Sequence, residues 1–240
     1  MIQSVFRFLA AALLTVGIAF AQARAIPSAM PTSVKAGYQV TKAGLVIGTI
    51  EETFARDGNR YRIVSQTRTA GPLKIFLNDR LTVTSEGLIG AAGLEPEVFE
   101  SRRERNPARN VRAVFDWAGR QIVSTHDNRT ENFDLPAGTL DRISAFYQFM
   151  FVAPRGDSVT TWMSQGKKAE QYRYLKRGDD RFVLGNEQLS TVHYVRESVP
   201  GDPKAELWLA RDRHNLPVRM IFEDSNGMTL EQTLVSLVVQ

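Results

Sequence analysis

The sequence predicts a mainly β protein: an antiparallel open barrel or curved half-barrel of roughly a dozen strands, with one amphipathic helix at about residues 139–152 packed on or in it. Three observations predict this. Short runs with two-residue alternation recur along the chain and are separated by Gly-, Asp-, Asn- and Pro-bearing turns. A single mid-chain segment breaks that period for a helical one. The chain contains no cysteine, so a packed interior rather than disulfide staples must hold it together.

The N-terminus stands apart from this pattern. Residues 8–20, FLAAALLTVGIAF, carry no charge; Arg7 precedes them and Ala21-Gln22-Ala23 follows as an A-x-A cleavage site. That layout reads as a signal peptide, residues 1–25, and the apolar run is short of the ~20 residues that span a bilayer. Residues 26–36 read as a Pro- and Ser-containing linker, and residues 37–240 as one β-rich domain. The expected location is the periplasm, in soluble form after signal removal. A lipoprotein is excluded because no cysteine is present to carry the lipid. The net charge of +4 falls to +3 when a cut after Ala23 removes Arg7. So small an excess gives no reason to expect nucleic acid as a partner.

From residue 35 the strands follow in order. Residues 45–55 and 61–69 form a hairpin about Arg56-Asp57-Gly58-Asn59. Tyr61, Ile63 and Ser65 lie on one face of its second strand, and Arg60, Arg62 and Arg68 largely on the other. Gly71-Pro72 breaks the chain. Residues 81–85 form a strand and Glu86-Gly87 a turn. Residues 97–105 and 111–116 form a hairpin around Asn106-Pro107, and Ala118-Gly119 turns into 121–125. Later strands are expected at 158–163, 171–176, 181–184, 189–197, 206–210, 218–223 and 228–239. Asp179-Asp180 reads as a turn after Gly178.

Residues 139–152, TLDRISAFYQFMFV, carry the helix. Leu140, Ile143, Phe146, Tyr147 and Met150 recur at three- and four-residue steps. Thr139 suits the N-cap, Asp141 the first turn, and Pro154 and Gly156 the end. Phe149 and Phe151 lie off the main stripe. A helix apolar on more than one face is buried on several sides or covers a cavity.

No motif names a reaction. The three histidines, His126, His193 and His214, have no metal-ligand spacing, and His126-Asp127 sits in the turn-like HDNRT. There is no G-x-S-x-G elbow, S-x-x-K, P-loop or G-x-G-x-x-G. Glu51 and Glu52 are strand neighbours, so they point to opposite faces and cannot act as a carboxylate pair. No enzymatic activity, metal or cofactor is expected. The basic cluster Arg102, Arg103, Arg105, Arg109 and Arg112, interleaved with Glu100 and Glu104, crowds one hairpin. It reads as a salt-bridged edge hairpin resisting edge pairing, or as a contact for anionic head groups or an acidic protein surface.

The stretch WLARDRHNLPVRMIF, residues 208–222, holds a charged knot between two apolar runs. Its length, with Asn215 suited to a left-handed position and Asp212 able to bond the backbone, makes it a hairpin loop rather than a catalytic cluster. It also carries a family resemblance. Trp208-Leu209-Ala210, Asp212 and Leu216-Pro217-Val218 resemble the closing signature of the DUF3108 family of exported bacterial proteins of unknown function. Tyr38 with Gly48, Leu94-Glu95-Pro96 followed by Phe99, Phe115-Asp116, and Leu135-Pro136-Ala137-Gly138 before Asp141 fit in the same order, over residues 37–239. The resemblance implies an envelope-associated β protein without known enzymatic activity. At the level of fold the pattern is also similar to the lipoprotein carriers of the Lol system, open barrels with several helices lidding an apolar cavity. This chain departs from them in offering one clear helix.

The expected function is non-enzymatic: binding or carrying an apolar or acylated ligand in a cavity between sheet and helix. Phe146, Tyr147, Met150 and Trp208 are the expected wall, and Arg102, Arg103 and Arg105 the expected head-group contacts. The alternative is an envelope scaffold or protein-interaction module with a filled core and no ligand, recruiting an envelope protein. A void beside the helix favours the first.

Overall fold

The computed structural model describes residues 30–71, 80–198 and 201–240. The expected signal peptide, the start of the expected linker and Pro72 of the expected chain break lie outside these residues. The strands are β1 (Ser33–Lys42), β2 (Leu45–Asp57), β3 (Arg60–Thr69), β4 (Arg80–Gly90), β5 (Gly93–Arg103), β6 (Val111–Asp116), β7 (Gln121–His126), β8 (Arg129–Asp134) and β9 (Leu140–Asp141). The helix α1 (Ser144–Phe151) follows, then β10 (Ser158–Ser164), β11 (Ala169–Leu184), β12 (Glu187–Arg196), β13 (Lys204–Ala210), β14 (Leu216–Glu223) and β15 (Thr229–Val239). β1 begins at Ser33, inside the segment read as linker.

All fifteen described strands belong to one sheet, in the order β8-β7-β6-β5-β4-β3-β2-β1-β15-β14-β13-β12-β11-β10-β9. Apart from β8 and β9, each strand pairs with its neighbours in sequence, and β1 pairs with β15. The pairings are antiparallel except for the short parallel contact of β9 with β10. The result is an open, barrel-like meander with its seam in mid-chain, between β8 and β9. The β8 edge is lined with Arg129, Glu131 and Asp134 and is largely exposed, which discourages pairing with another chain.

Local chemistry explains most turns. Asp127 and Asn128 both take positive φ, 50° and 58°, and close the β7–β8 hairpin, since a two-residue turn with that twist suits Asn and Asp. The charged knot of residues 211–215 is a hairpin loop as expected: a 3-10 turn at Arg211–Arg213, then His214 and Asn215 in left-handed geometry.

Several expectations are corrected. The helix starts at Ser144, not Thr139. Leu140–Asp141 pairs with Met163 and Ser164 of β10 instead, and the Thr139 hydroxyl donates to the Pro136 carbonyl at 2.7 Å. Asp141 does the capping: its Oδ1 accepts the backbone N–H groups of Ile143 and Ser144, each at 2.9 Å. Asp179-Asp180 is no turn, because β11 runs straight through it with a bulge between Lys176 and Gly178. β4 likewise passes Glu86-Gly87 with a bulge. The arginine hairpin is not at an edge, since β5 and β6 lie inside the sheet.

The inward faces form two apolar clusters. One gathers Val34, Phe54, Ile63, Phe99 and Ile122, and the other Tyr38, Leu189, Leu207, Val218 and Met220. α1 lies between them. Tyr147 stacks on Phe54 with ring centroids 5.6 Å apart, while Phe149 packs into the second cluster. Gln148 pins the helix to the β4–β5 turn: its Oε1 accepts the Leu94 N–H at 2.7 Å and its Nε2 donates to the Ala92 carbonyl at 2.8 Å.

Candidate ligand cavity

Between α1 and the inner face of the sheet lies a cavity of about 350 Å³. Register builds its floor. Ile50 of β2 sits opposite Thr67 of β3, which sits opposite Leu81 of β4; one step along, Glu52, Ser65 and Val83 make the next row. Residues two apart on a strand share a face, so these side chains all point inward. Met220 and Phe222 of β14 and Met163 of β10 supply further wall, and Ile143 and Phe146 close it from the helix side. Phe146 meets Phe222 edge-on at 6.4 Å. The void falls where the two core clusters fail to meet, for Val83 and Ile143 belong to one and Met220 to the other.

Apolar side chains make the larger part of the wall, and Glu52, Ser65, Thr67, Arg142, Gln165 and Gln232 are its polar residues. Glu52 lies deep in the barrel yet keeps some exposure because it borders the void. Its Oε1 accepts the Ser65 hydroxyl at 3.0 Å and its Oε2 the Tyr147 hydroxyl at 3.3 Å. Burial raises its pKa above the ordinary carboxylate range, against those two hydrogen bonds and the field of Arg142. Arg142, in the turn between β9 and α1, also faces the void. Burial lowers its pKa, and the positive charge of Arg103 lowers it further. Arg103 is paired in register with Leu81 and shares the inward face of β5 with Phe99 and Ser101.

The residues expected from sequence divide. Phe146 lines the cavity. Tyr147 is fully buried core and touches the site only through its bond to Glu52. Met150 is core. Trp208 is buried in the second cluster but lies beside Arg219, on the face of β13 opposite Leu207 and Met220 and away from the cavity. It stacks on His193 at 4.0 Å, lies under the Arg219 guanidinium, and donates its indole N–H to Asp180 at 3.0 Å. Of the arginines, Arg103 turns inward toward Arg142. Arg102 points to the surface and pairs with Glu100 at 2.7 Å, and Arg105 is exposed. Sequence reasoning missed Glu52, Arg142, Met220 and Phe222. The signal for Glu52 was present: Ile50, Glu52 and Phe54 share one parity, so the carboxylate had to point inward with them.

Two other features lie outside this cavity. A cleft of about 650 Å³ runs along the other side of α1, between Phe149, Phe151, Pro154 and the Ser158–Trp162 part of β10. His193 bonds Glu206 at 2.8 Å on the outer face, and neither residue borders the cavity.

A search of the curated proteins finds no match. Among solved structures the chain is similar to a crystal structure described as a beta-barrel-like protein of domain of unknown function DUF1849 from Brucella abortus. The TM-score is 0.56 at 12% identity, over 88% of this chain and 99% of that one, so the likeness is one of fold. The family model described as "Protein of unknown function (DUF3108)" matches residues 37–234. With that span covering nearly all of the sheet, from β1 into β15, the chain belongs to the DUF3108 family.

Proposed function

We propose that the protein binds the apolar chain of a ligand in the cavity between α1 and the sheet, and that it acts as a non-enzymatic, exported carrier in the periplasm. One observation carries the reading: a void of about 350 Å³ with mostly aliphatic, aromatic and methionine walls, placed between helix and barrel. That volume is at the lower end of the ~300–1,000 Å³ typical of ligand sites. A chain of about ten methylenes gains ~8 kcal/mol on burial, enough to offset much of the association cost. The outer face supports an aqueous setting for the barrel. It carries cross-strand ion pairs such as Arg60–Glu97, Arg112–Glu100 and Arg219–Glu231 where a membrane-embedded barrel would carry an apolar band. Export rests on the layout of residues 1–25. The unfilled space favours a carrier over a scaffold with a filled interior.

The test is native mass spectrometry of protein purified from the periplasm without detergent, followed by organic extraction. The expected result is a bound acyl species that Phe146→Asp and Phe222→Asp both remove, with circular dichroism confirming that each variant folds. A clean apo mass, with no uptake of added fatty acid or lysophospholipid, refutes the reading.

A further inference from the structure

The polar side of the cavity bears on what kind of chain it takes. Arg142 is held at both ends: Asp141 before it is fixed by Ser85 and by the backbone of Ile143 and Ser144, and α1 begins directly after it. Its guanidinium is half-buried against the void. Among the described residues no carboxylate stands within ion-pair distance of it. The two acids whose fields reach it are engaged elsewhere, Asp141 with Ser85 and the helix start, Glu52 with Ser65 and Tyr147. Arg103, inward-facing on β5, adds positive charge from the other side.

A desolvated guanidinium is costly to hold without a counter-charge, and its planar fork of N–H donors matches a carboxylate or a phosphate. The remaining wall is mainly apolar, with Ser65, Thr67, Gln165, Gln232 and the hydrogen-bonded Glu52 as its other polar members. From this juxtaposition we infer that the cavity takes a single-chain amphiphile with an anionic head, a carboxylate or a phosphate monoester. The head pairs with Arg142 and the chain lies along Ile50, Leu81, Met163, Met220 and Phe222. The inference rests on the chain-binding reading above and adds the class of head group. The volume suits one chain rather than two.

The test titrates the delipidated full chain by calorimetry with dodecanoic acid, dodecyl phosphate and dodecanol. The expected result is that the acid or the phosphate binds about 10- to 100-fold tighter than the alcohol, and whichever binds better names the head group. Arg142→Gln is expected to abolish the preference for that ligand over the alcohol, with circular dichroism showing that the variant folds. Should Arg142→Gln bind nothing, Arg142→Lys must still prefer the anion. Equal binding of acid, phosphate and alcohol by the wild type overturns the role of Arg142 while leaving chain binding intact. No binding of any of the three removes the chain-binding reading itself, and this inference with it.

Discussion

The Ser85 hydroxyl of β4 donates to Oδ2 of the fully buried Asp141, 56 residues later, at 2.5 Å, and Tyr61 lies 3.0 Å from the same hydroxyl. Asp141 therefore ties the start of α1 to the middle of the sheet, because its other oxygen caps the Ile143 and Ser144 N–H groups. Asp141→Ala leaves the buried Ile143 and Ser144 N–H groups without their acceptor and releases Ser85, and is expected to cost about 2–4 kcal/mol in urea denaturation. Ser85→Ala removes one bond and is expected to cost about 1–2 kcal/mol. A loss below ~0.5 kcal/mol for Asp141→Ala would show that the helix is held by packing alone.

Gly93 and Gln148 make a second tie. Gly93 has φ +101°, and a Cβ there would lie 2.3 Å from Gln148 Oε1, the acceptor that fixes the β4–β5 turn. Gly93→Ala combines a strained backbone with displacement of that side chain, and about 2–3 kcal/mol of destabilisation is expected. A double-mutant cycle with Gln148→Ala separates the two effects: the clash vanishes in the double variant and the backbone cost stays. Additive losses would mean that Gln148 moves aside freely.

Glu52 sets a pH dependence. Burial raises its pKa in the folded protein, so the native state binds this proton more tightly than the unfolded chain does. Stability contributed at this position is therefore present at low pH and falls as pH rises from about 4 toward neutrality. The groups acting on it besides burial are Ser65 on β3, Tyr147 on α1 and Arg142 before α1, all of which lower its pKa. Glu52→Gln does not titrate, and its stability is expected to fall less over that range than that of the wild type. Parallel profiles for the two proteins would contradict a raised pKa.

The strand pattern was legible because inward and outward residues alternate so cleanly, as along Tyr61, Ile63 and Ser65. The breaks were less so. Glu86-Gly87 and Gly178-Asp179-Asp180 carry turn-forming residues, yet they sit at bulges inside long strands, where the same residues serve to bend a ladder. The helix was placed correctly in mid-chain but drawn too long. Leu140 fits a helical step equally well as a buried strand residue, and the parallel pairing with Met163 that decides the matter is non-local. Of the candidate site, Phe146 was legible from the density of aromatics. Trp208 was not: its apolar neighbours suggest the interior, whereas alternation and a bulge after it turn it outward onto His193 and Arg219. Arg142 was hidden inside a stretch read as continuous helix. Its approach to the void depends on β9 and α1 meeting at that turn.

Two spaces flank α1, and the proposed ligand site is the inner one. The direct measurement is a crystal structure of the protein with a fatty acid brominated at the chain end, the bromine being located by its anomalous scattering. The predicted result is a bromine peak inside the barrel, between Phe146 and Met220, with the carboxylate at Arg142. A peak in the outer cleft beside Phe149 and β10, or no bound chain at saturating concentration, would contradict it.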